Sequence, residues 1–444
     1  MPVDLVLKKA KIYVFDRIVD AGLAIDGERI VRVAKESNLP SASERMNLGG
    51  LLVLPGAIDV HVHLRDQEQS YKEDFFSGTC AAANGGITLV MDMPNNKPTT
   101  MDSITLRERM NLASGRIVVN VAFYSAFPNE TEEIKRIVRE GAKAFKIFLS
   151  HKVGGINPND KTAVIESFKK ASKASVPVAV HAEDGVFLQE KIRELKFGGK
   201  SSLDDYLKAH SPEAEIRGIR RVIELTEESG VHVHVCHVST AEGLKIVADA
   251  KERGLKISCE VTPHHLLLSN RHMKKIGNMA LTNPPLRSPE DVSSLRSALW
   301  NNLIDVVASD HAPHTLREKE ASSVWDVSAG IVGLETLLPL MLTMVNRGHL
   351  SLSTLVKATS RNPARIFGFK NRGRIIEGGF ADLTVVDMKR EWIIDPTEFY
   401  SKAKFSPFSG WHVKGKPMKT FVNGILVMDE GEIVVKPGSG RIIR

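Results

Sequence analysis

The chain has 444 residues, with 42% hydrophobic and 25% charged residues and ordinary Gly and Pro contents; it is no disordered or fibrous chain, and its length suits two or three domains or one large barrel with an appendage. Lys plus Arg number 60 against 53 Asp plus Glu, but the resulting charge of +7 is scattered without a basic block, which leaves a nucleic-acid partner unsupported. Three cysteines, an N-terminus carrying Asp4 where a signal peptide needs an apolar core, and no run near the ~18 apolar residues of a membrane span predict a cytoplasmic protein without a membrane partner.

Residues 1–50 read as short strands and turns, VDLVLKKAKIYV and LAIDGERIVRVA, with Asp26-Gly27 as a hairpin signal. Eight β-branched runs follow, at 51–63, 87–93, 116–124, 144–150, 176–184, 231–239, 255–263 and 305–311. Helix-length amphipathic stretches separate them, among them ETEEIKRIVREG, KTAVIESFKKAS and TAEGLKIVADAKERG, and GLETLLPLMLTMVNRG closes the series. Eight β-then-α units predict an α/β fold, a (β/α)₈ barrel over 51–369. The rival open sheet lacks its glycine-rich phosphate turn, and Gly199-Lys200-Ser201 is no phosphate loop, since position 194 is Glu where that motif needs its first glycine. Residues 370–444 return to strands, with Asn423-Gly424 as a second hairpin signal. Neither end can bury a sheet face alone, so 1–50 and 370–444 are expected to form one small β-sandwich.

Catalytic residues of such barrels lie at strand C-termini. Strand 1 ends in His61-Val62-His63-Leu64-Arg65, whose two histidines share a face and invite a metal. Strand 4 carries Lys146 amid apolar residues, strand 5 ends in His181, strand 6 in His237 and strand 8 in Asp310. Five strands thus aim polar side chains at one rim. A buried lysine is costly unless paired, with Glu183 or Asp310 for instance, or neutralised; carbon dioxide added to its amine gives a carbamate, a two-oxygen ligand able to bridge two metals. In VHVHVCHVS, His237 lies nearest the rim, His232 and His234 are read as packing or supporting groups, and Cys236 alternates away.

HVHLR, MPNN, AFKIFL, VAVHAED, CHVS, CEVTPHH, NPPLR and SDHAPH form an ordered set that resembles the dihydroorotases of the cyclic amidohydrolase family. The resemblance runs from PGAIDVHVHLRD to NPARIFG and on to GRIIEGGFADLTVVD. It implies that His61 and His63 bind one zinc and His181 and His237 another, with carboxylated Lys146 bridging them and Asp310 completing the first site and acting as the catalytic acid-base. It also implies a small-molecule substrate whose carboxylate meets Arg65, Asn95 and His314. Asn283, Ala329 and Gly330 would meet its ring, and His63 counts among the substrate contacts. The preceding SSVWDVS departs from the commoner family pattern. The implied reaction is cyclisation of N-carbamoyl-L-aspartate to dihydroorotate and its reverse, in pyrimidine biosynthesis. No organic cofactor is called for, and homo-oligomerisation is left open. Arg65, with the fork geometry that suits a carboxylate, separates this reading from hydantoinase or allantoinase; the full ligand set separates it from a noncatalytic scaffold.

Overall fold

The computed structural model describes residues 2–444. Two sheets organise them. Eight parallel strands, β6 (Ala57–Val62), β7 (Ile87–Asp92), β8 (Asn120–Ala126), β9 (Ala144–Phe148), β10 (Val178–His181), β11 (Val233–Val235), β12 (Ile257–Val261) and β13 (Val306–Val307), pair in sequence order. The ring is drawn together where Val62 bridges His311 and His63 N–H donates to the His311 carbonyl at 2.8 Å. The (β/α)₈ barrel read from the sequence is therefore the fold.

Barrel helices such as Phe75–Asn84, Lys161–Lys173 and Ala241–Glu252 follow their strands. Each starts on a side-chain oxygen, from Asp74, Asp160 and Thr240 respectively, that accepts a backbone N–H of the first turn. The long connection after β10 holds two helices the sequence reading omits, Gly185–Phe197 and Leu203–Ala209, with 198–201 as the loop between them. Inside the barrel, Val60, Met91, Tyr124, Ala144 and Ala179 form an apolar layer. Phe367, just beyond the helix Asn362–Ile366, plugs it and meets Tyr124 edge to face at 5.9 Å. The polar site thus sits above an apolar layer.

The second sheet takes strands from both ends of the chain: β1 (Val3–Val14), β2 (Arg17–Asp26), β3 (Arg29–Ala34), β4 (Ala42–Asn47), β5 (Leu52–Pro55), β14 (Leu383–Ile393), β15 (His412–Val422), β16 (Ile425–Asp429) and β17 (Glu432–Ile433). Its order is β17-β16-β15-β14-β5-β1-β2-β3, with β4 beside β1. Leu7, Ile12, Leu23, Ile30, Leu383 and Phe421 give it a core of its own. The run 51–63, expected as one strand, is two. At Gly56 a Cβ would stand 2.2 Å from Thr88 Oγ1, so the chain passes β7 too closely for a side chain; β5 pairs with β14 and β1 before it, and β6 enters the barrel after it. Thr384 and Thr420 tie this sheet to the barrel through the carbonyls of Gly86 and Ala83, at 2.6 and 2.8 Å. Residues 441–443 run beside β8, where Val121 N–H donates to the Arg441 carbonyl and Ile443 N–H to the Val121 carbonyl, both at 2.9 Å.

Candidate metal centre and substrate pocket

A cavity of about 140 Å³ opens at the C-terminal ends of the barrel strands. Of the predicted site residues, all but Lys146 and His314 line it. β6 delivers His61 and His63, with ring centroids 5.5 Å apart. His61 Nε2 and His63 Nε2 lie 3.2 and 3.3 Å from Asp310 Oδ1, which reaches in from the turn after β13. His181 ends β10, and its Nδ1 lies 3.0 Å from His237 Nε2. Four imidazoles and a carboxylate therefore converge within one buried volume.

The other nitrogen of three of these rings is held by a neighbouring side chain. His61 Nδ1 bonds Glu260 of β12, His63 Nδ1 bonds Asn95 Oδ1 at 2.7 Å, and His181 Nε2 bonds Glu183 at 2.8 Å. Such a hydrogen bond fixes the tautomer and directs the remaining lone pair inward, as at a metal-ligating histidine. His61, His63 and Asp310 offer ligand atoms within 4.8 Å of one another. The donor set fits a divalent metal of the zinc type, for which imidazole and carboxylate are ordinary ligands.

Lys146 sits fully buried in β9, opposite Ala126 of β8 and Ala179 of β10, whose small side chains leave it room. Among the described residues it makes no ion pair; the carboxylate partners considered for it are engaged elsewhere, Glu183 by His181 and His210 and Asp310 by His61 and His63. Its Nζ instead donates to Cys236 Sγ at 2.9 Å. The expectation that Cys236 turns away from the site is thus corrected. Strand β11 ends at Val235, and His237 adopts φ +35°, so alternation lapses and both side chains face inward.

Arg65 lies beyond β6 at φ +54°, buried beside the cavity. Its Nε donates to the Pro313 carbonyl at 3.3 Å, and its Nη2 lies 3.2 Å from His314 Nε2. His314 stands behind Arg65 and away from the cavity lining. Lys72 donates to its Nδ1 at 3.2 Å, which leaves the ring proton on Nε2 for the Ala329 carbonyl at 3.1 Å. Asn283 reaches the cavity from the connection after β12, its Oδ1 accepting from Tyr206 of Leu203–Ala209.

The amidohydrolase family pattern matches residues 52–427. The chain belongs to the amidohydrolase family. This amidohydrolase is 38% identical over 443 residues to a dihydroorotase of Methanothermobacter thermautotrophicus, covering 99% of this chain and 97% of that one. It is 42% identical over 398 residues to a dihydroorotase of Pyrococcus furiosus, covering 89% and 86%. Among solved structures it superimposes on the L-hydantoinase (dihydropyrimidinase) of Arthrobacter aurescens with a TM-score of 0.96 at 31% identity, covering 100% of both chains.

Burial and charge set the protonation of the amidohydrolase site. Burial pushes the His63 imidazole down to about 4, so it keeps a free lone pair at neutral pH. Burial opposes charge on Asp310, but the imidazoles of His61, His63 and His237 outweigh it and hold the carboxyl well below its usual range. Burial brings Arg65 down only to about 10, so it stays cationic. Burial also works against charge on His61, yet the Glu260 carboxylate raises it to about 10; a metal taking Nε2 must displace that proton. Sequence reasoning missed Glu260, Lys72 and Tyr206. Glu260 alone carried a signal, as an acid one residue before the C-terminal end of a barrel strand. Ser150 and His151 line the cavity as well, from the turn after β9.

Proposed function

We propose that this amidohydrolase is a zinc-dependent dihydroorotase, interconverting N-carbamoyl-L-aspartate and dihydroorotate. The observation that carries the reading is Arg65, a buried guanidinium on the wall of a cavity whose floor is the histidine and aspartate cluster. A substrate that is both a cyclic amide and a carboxylate uses both features. The relatives named dihydroorotase support the same choice.

In this proposal His61, His63, Asp310, His181 and His237, with Lys146 as its carbamate, would hold two zinc ions. Bound there, zinc lowers the pKa of water towards about 7 and polarises the amide carbonyl. Arg65 grips the substrate carboxylate through paired hydrogen bonds, with Asn95 beside it and the His314 ring, aimed at Ala329, fixing its seat. Asn283 and the Ala329–Gly330 segment orient the ring. Asp310, kept ionised, accepts the proton of the attacking water and delivers it to the ring nitrogen as the C–N bond breaks. In the reverse direction the same carboxyl gives its proton to the departing oxygen. Three free, buried cysteines support a cytoplasmic setting, and the division of the chain into a barrel and a unit formed by both ends belongs to the same proposal.

The L-hydantoinase likeness supports one other reading, a neutral cyclic amide as substrate. Zinc-loaded protein assayed side by side with dihydroorotate, hydantoin and allantoin decides between them, with dihydroorotate expected to be strongly preferred. Preference for hydantoin would overturn the substrate assignment. Failure to bind metal under zinc-replete conditions would overturn catalysis itself.

A further inference from the structure

Lys319 is fully buried, like Lys146, yet no acid faces it: among the described residues it forms no ion pair. Its ammonium has three N–H donors and three backbone acceptors, the carbonyls of Leu281 at 3.1 Å, Ser328 at 3.0 Å and Gly330 at 3.0 Å. Two separate segments supply them. Leu281 immediately precedes Thr282 and Asn283, and Ser328 and Gly330 flank Ala329; Thr282, Asn283, Ala329 and Gly330 all line the cavity. Gly330 N–H also donates to the Leu281 carbonyl at 2.9 Å, so the two segments are joined twice. On its far side the Ser328–Gly330 strip is pressed against the chain after β13. At Gly330 (φ +157°) a Cβ would stand 2.3 Å from the Ala312 carbonyl oxygen and 3.0 Å from His314 Cδ2.

The Phe405 ring lies 5.7 Å from the Lys319 Nζ. A buried cation without a counter-ion is costly, and packing alone would be served by methionine. Burial lowers Lys319 to about 7, and three carbonyls converging at a single point are satisfied together by its ammonium form. Without it, the Ser328 and Gly330 carbonyls lose their donor and only the Gly330-to-Leu281 bond links the segments.

We propose that Lys319 is a positioning residue that clamps the Asn283 segment to the Ala329–Gly330 segment, setting the width of the slot that receives the ring of the substrate. The proposal rests on the assignment of those segments to ring binding. It separates the metal cluster and Asp310, which Lys319 does not touch, from a substrate wall held at its working distance beforehand. Loss of the clamp weakens binding of the ring in ground and transition states alike, which raises KM and leaves kcat.

The test uses zinc-loaded full-length protein bearing Lys319→Met or Lys319→Gln, the second keeping two donors. Kinetics are read on whichever cyclic amide the wild type turns over fastest, so failure of the dihydroorotase reading leaves this test intact. KM is expected to rise about tenfold or more in the Met variant and less in the Gln variant, with kcat within about threefold and zinc content unchanged. Hydrogen–deuterium exchange is expected to quicken at 328–331 while the strands β6 and β10 stay as protected as in wild type. Unchanged KM, loss of zinc, or a fall in kcat matching a general loss of protection would each overturn the proposal. If the Met variant does not fold, the Gln variant alone decides by the same readings.

Discussion

Three of the side chains at the rim stand on backbone that non-glycine residues avoid: Arg65 at φ +54°, His237 at +35° and Asp310 at +47°. Each such conformation costs on the order of 1–3 kcal/mol and persists only where the surroundings impose it. At Arg65 the neighbouring chain is pinned on both sides. Asp66 accepts from Gln67 N–H and Phe75 N–H at 2.7 and 2.9 Å, and Asp92 accepts from Leu64 N–H at 3.0 Å. Arg65→Met should raise KM for dihydroorotate about 10- to 100-fold, the worth of a charge-assisted hydrogen bond, with a small effect on kcat. Asp310→Ala should lower kcat about 10²- to 10⁴-fold with zinc retained at least in part. Steady-state kinetics with metal analysis reads both, and full activity in either variant removes the corresponding role. At this scale much of the site was legible, because a histidine's place near a strand end follows from period-two alternation. Cys236 was not, since alternation stops at the left-handed His237. Glu260 and Lys72 were hard to read because their value lies in which ring each one touches, a fact of cross-strand register.

Among the elements, the helix Leu337–Asn346 is entered through Glu335, a nearly buried carboxyl that accepts from Asn84 Nδ2 at 2.8 Å and from the N–H groups of Tyr400 and Ser401 at 3.0 and 3.2 Å. Burial, with Glu73 nearby, raises it to about 7. A carboxyl raised on folding binds a proton more tightly in the native state, so its contribution is whole below its unfolded value near 4.5. It is lost as pH climbs through about 7. Glu335→Gln should remove this dependence. Denaturant unfolding of wild type and variant at pH 5 and pH 8 should show the wild type losing about 3 kcal/mol relative to the variant on going to the higher pH, and parallel behaviour would refute the raised carboxyl. The eight barrel strands and their alternating helices were legible because hydrophobic period and turn residues agree along each one. The break at Gly56 was not, since it answers to the nearness of Thr88 on another strand.

At the scale of the whole molecule, the charge of +7 finds no common target in the structure, and the cation that matters for the proposed substrate is the single Arg65. That both ends join in one β unit was legible from two hairpin turns and too few strands on either side; the expected sandwich is instead a single nine-stranded sheet. The path of 441–443 beside β8 was not, for it rests on a single bridge, Val121 to Ile442, and a few backbone hydrogen bonds. Deleting 438–444 should remove those bonds, worth about 0.5–1.5 kcal/mol each, and lower the thermal midpoint by a few degrees with the zinc content unchanged. An unaltered melting curve would show that the strip is dispensable.

The pairing of Pro55 with Leu383 has a consequence in time. On the ribosome, β5 emerges roughly 330 residues before β14, which at about 5–20 residues per second is tens of seconds of waiting. Throughout that interval the edge of β5 that β14 will cover stands open, and an open edge is a template for the wrong strand. The barrel, whose strands pair in order of synthesis, can close in the meantime. The rate at which nascent chains aggregate should therefore depend more on residues 1–55 than on the barrel that carries the chemistry.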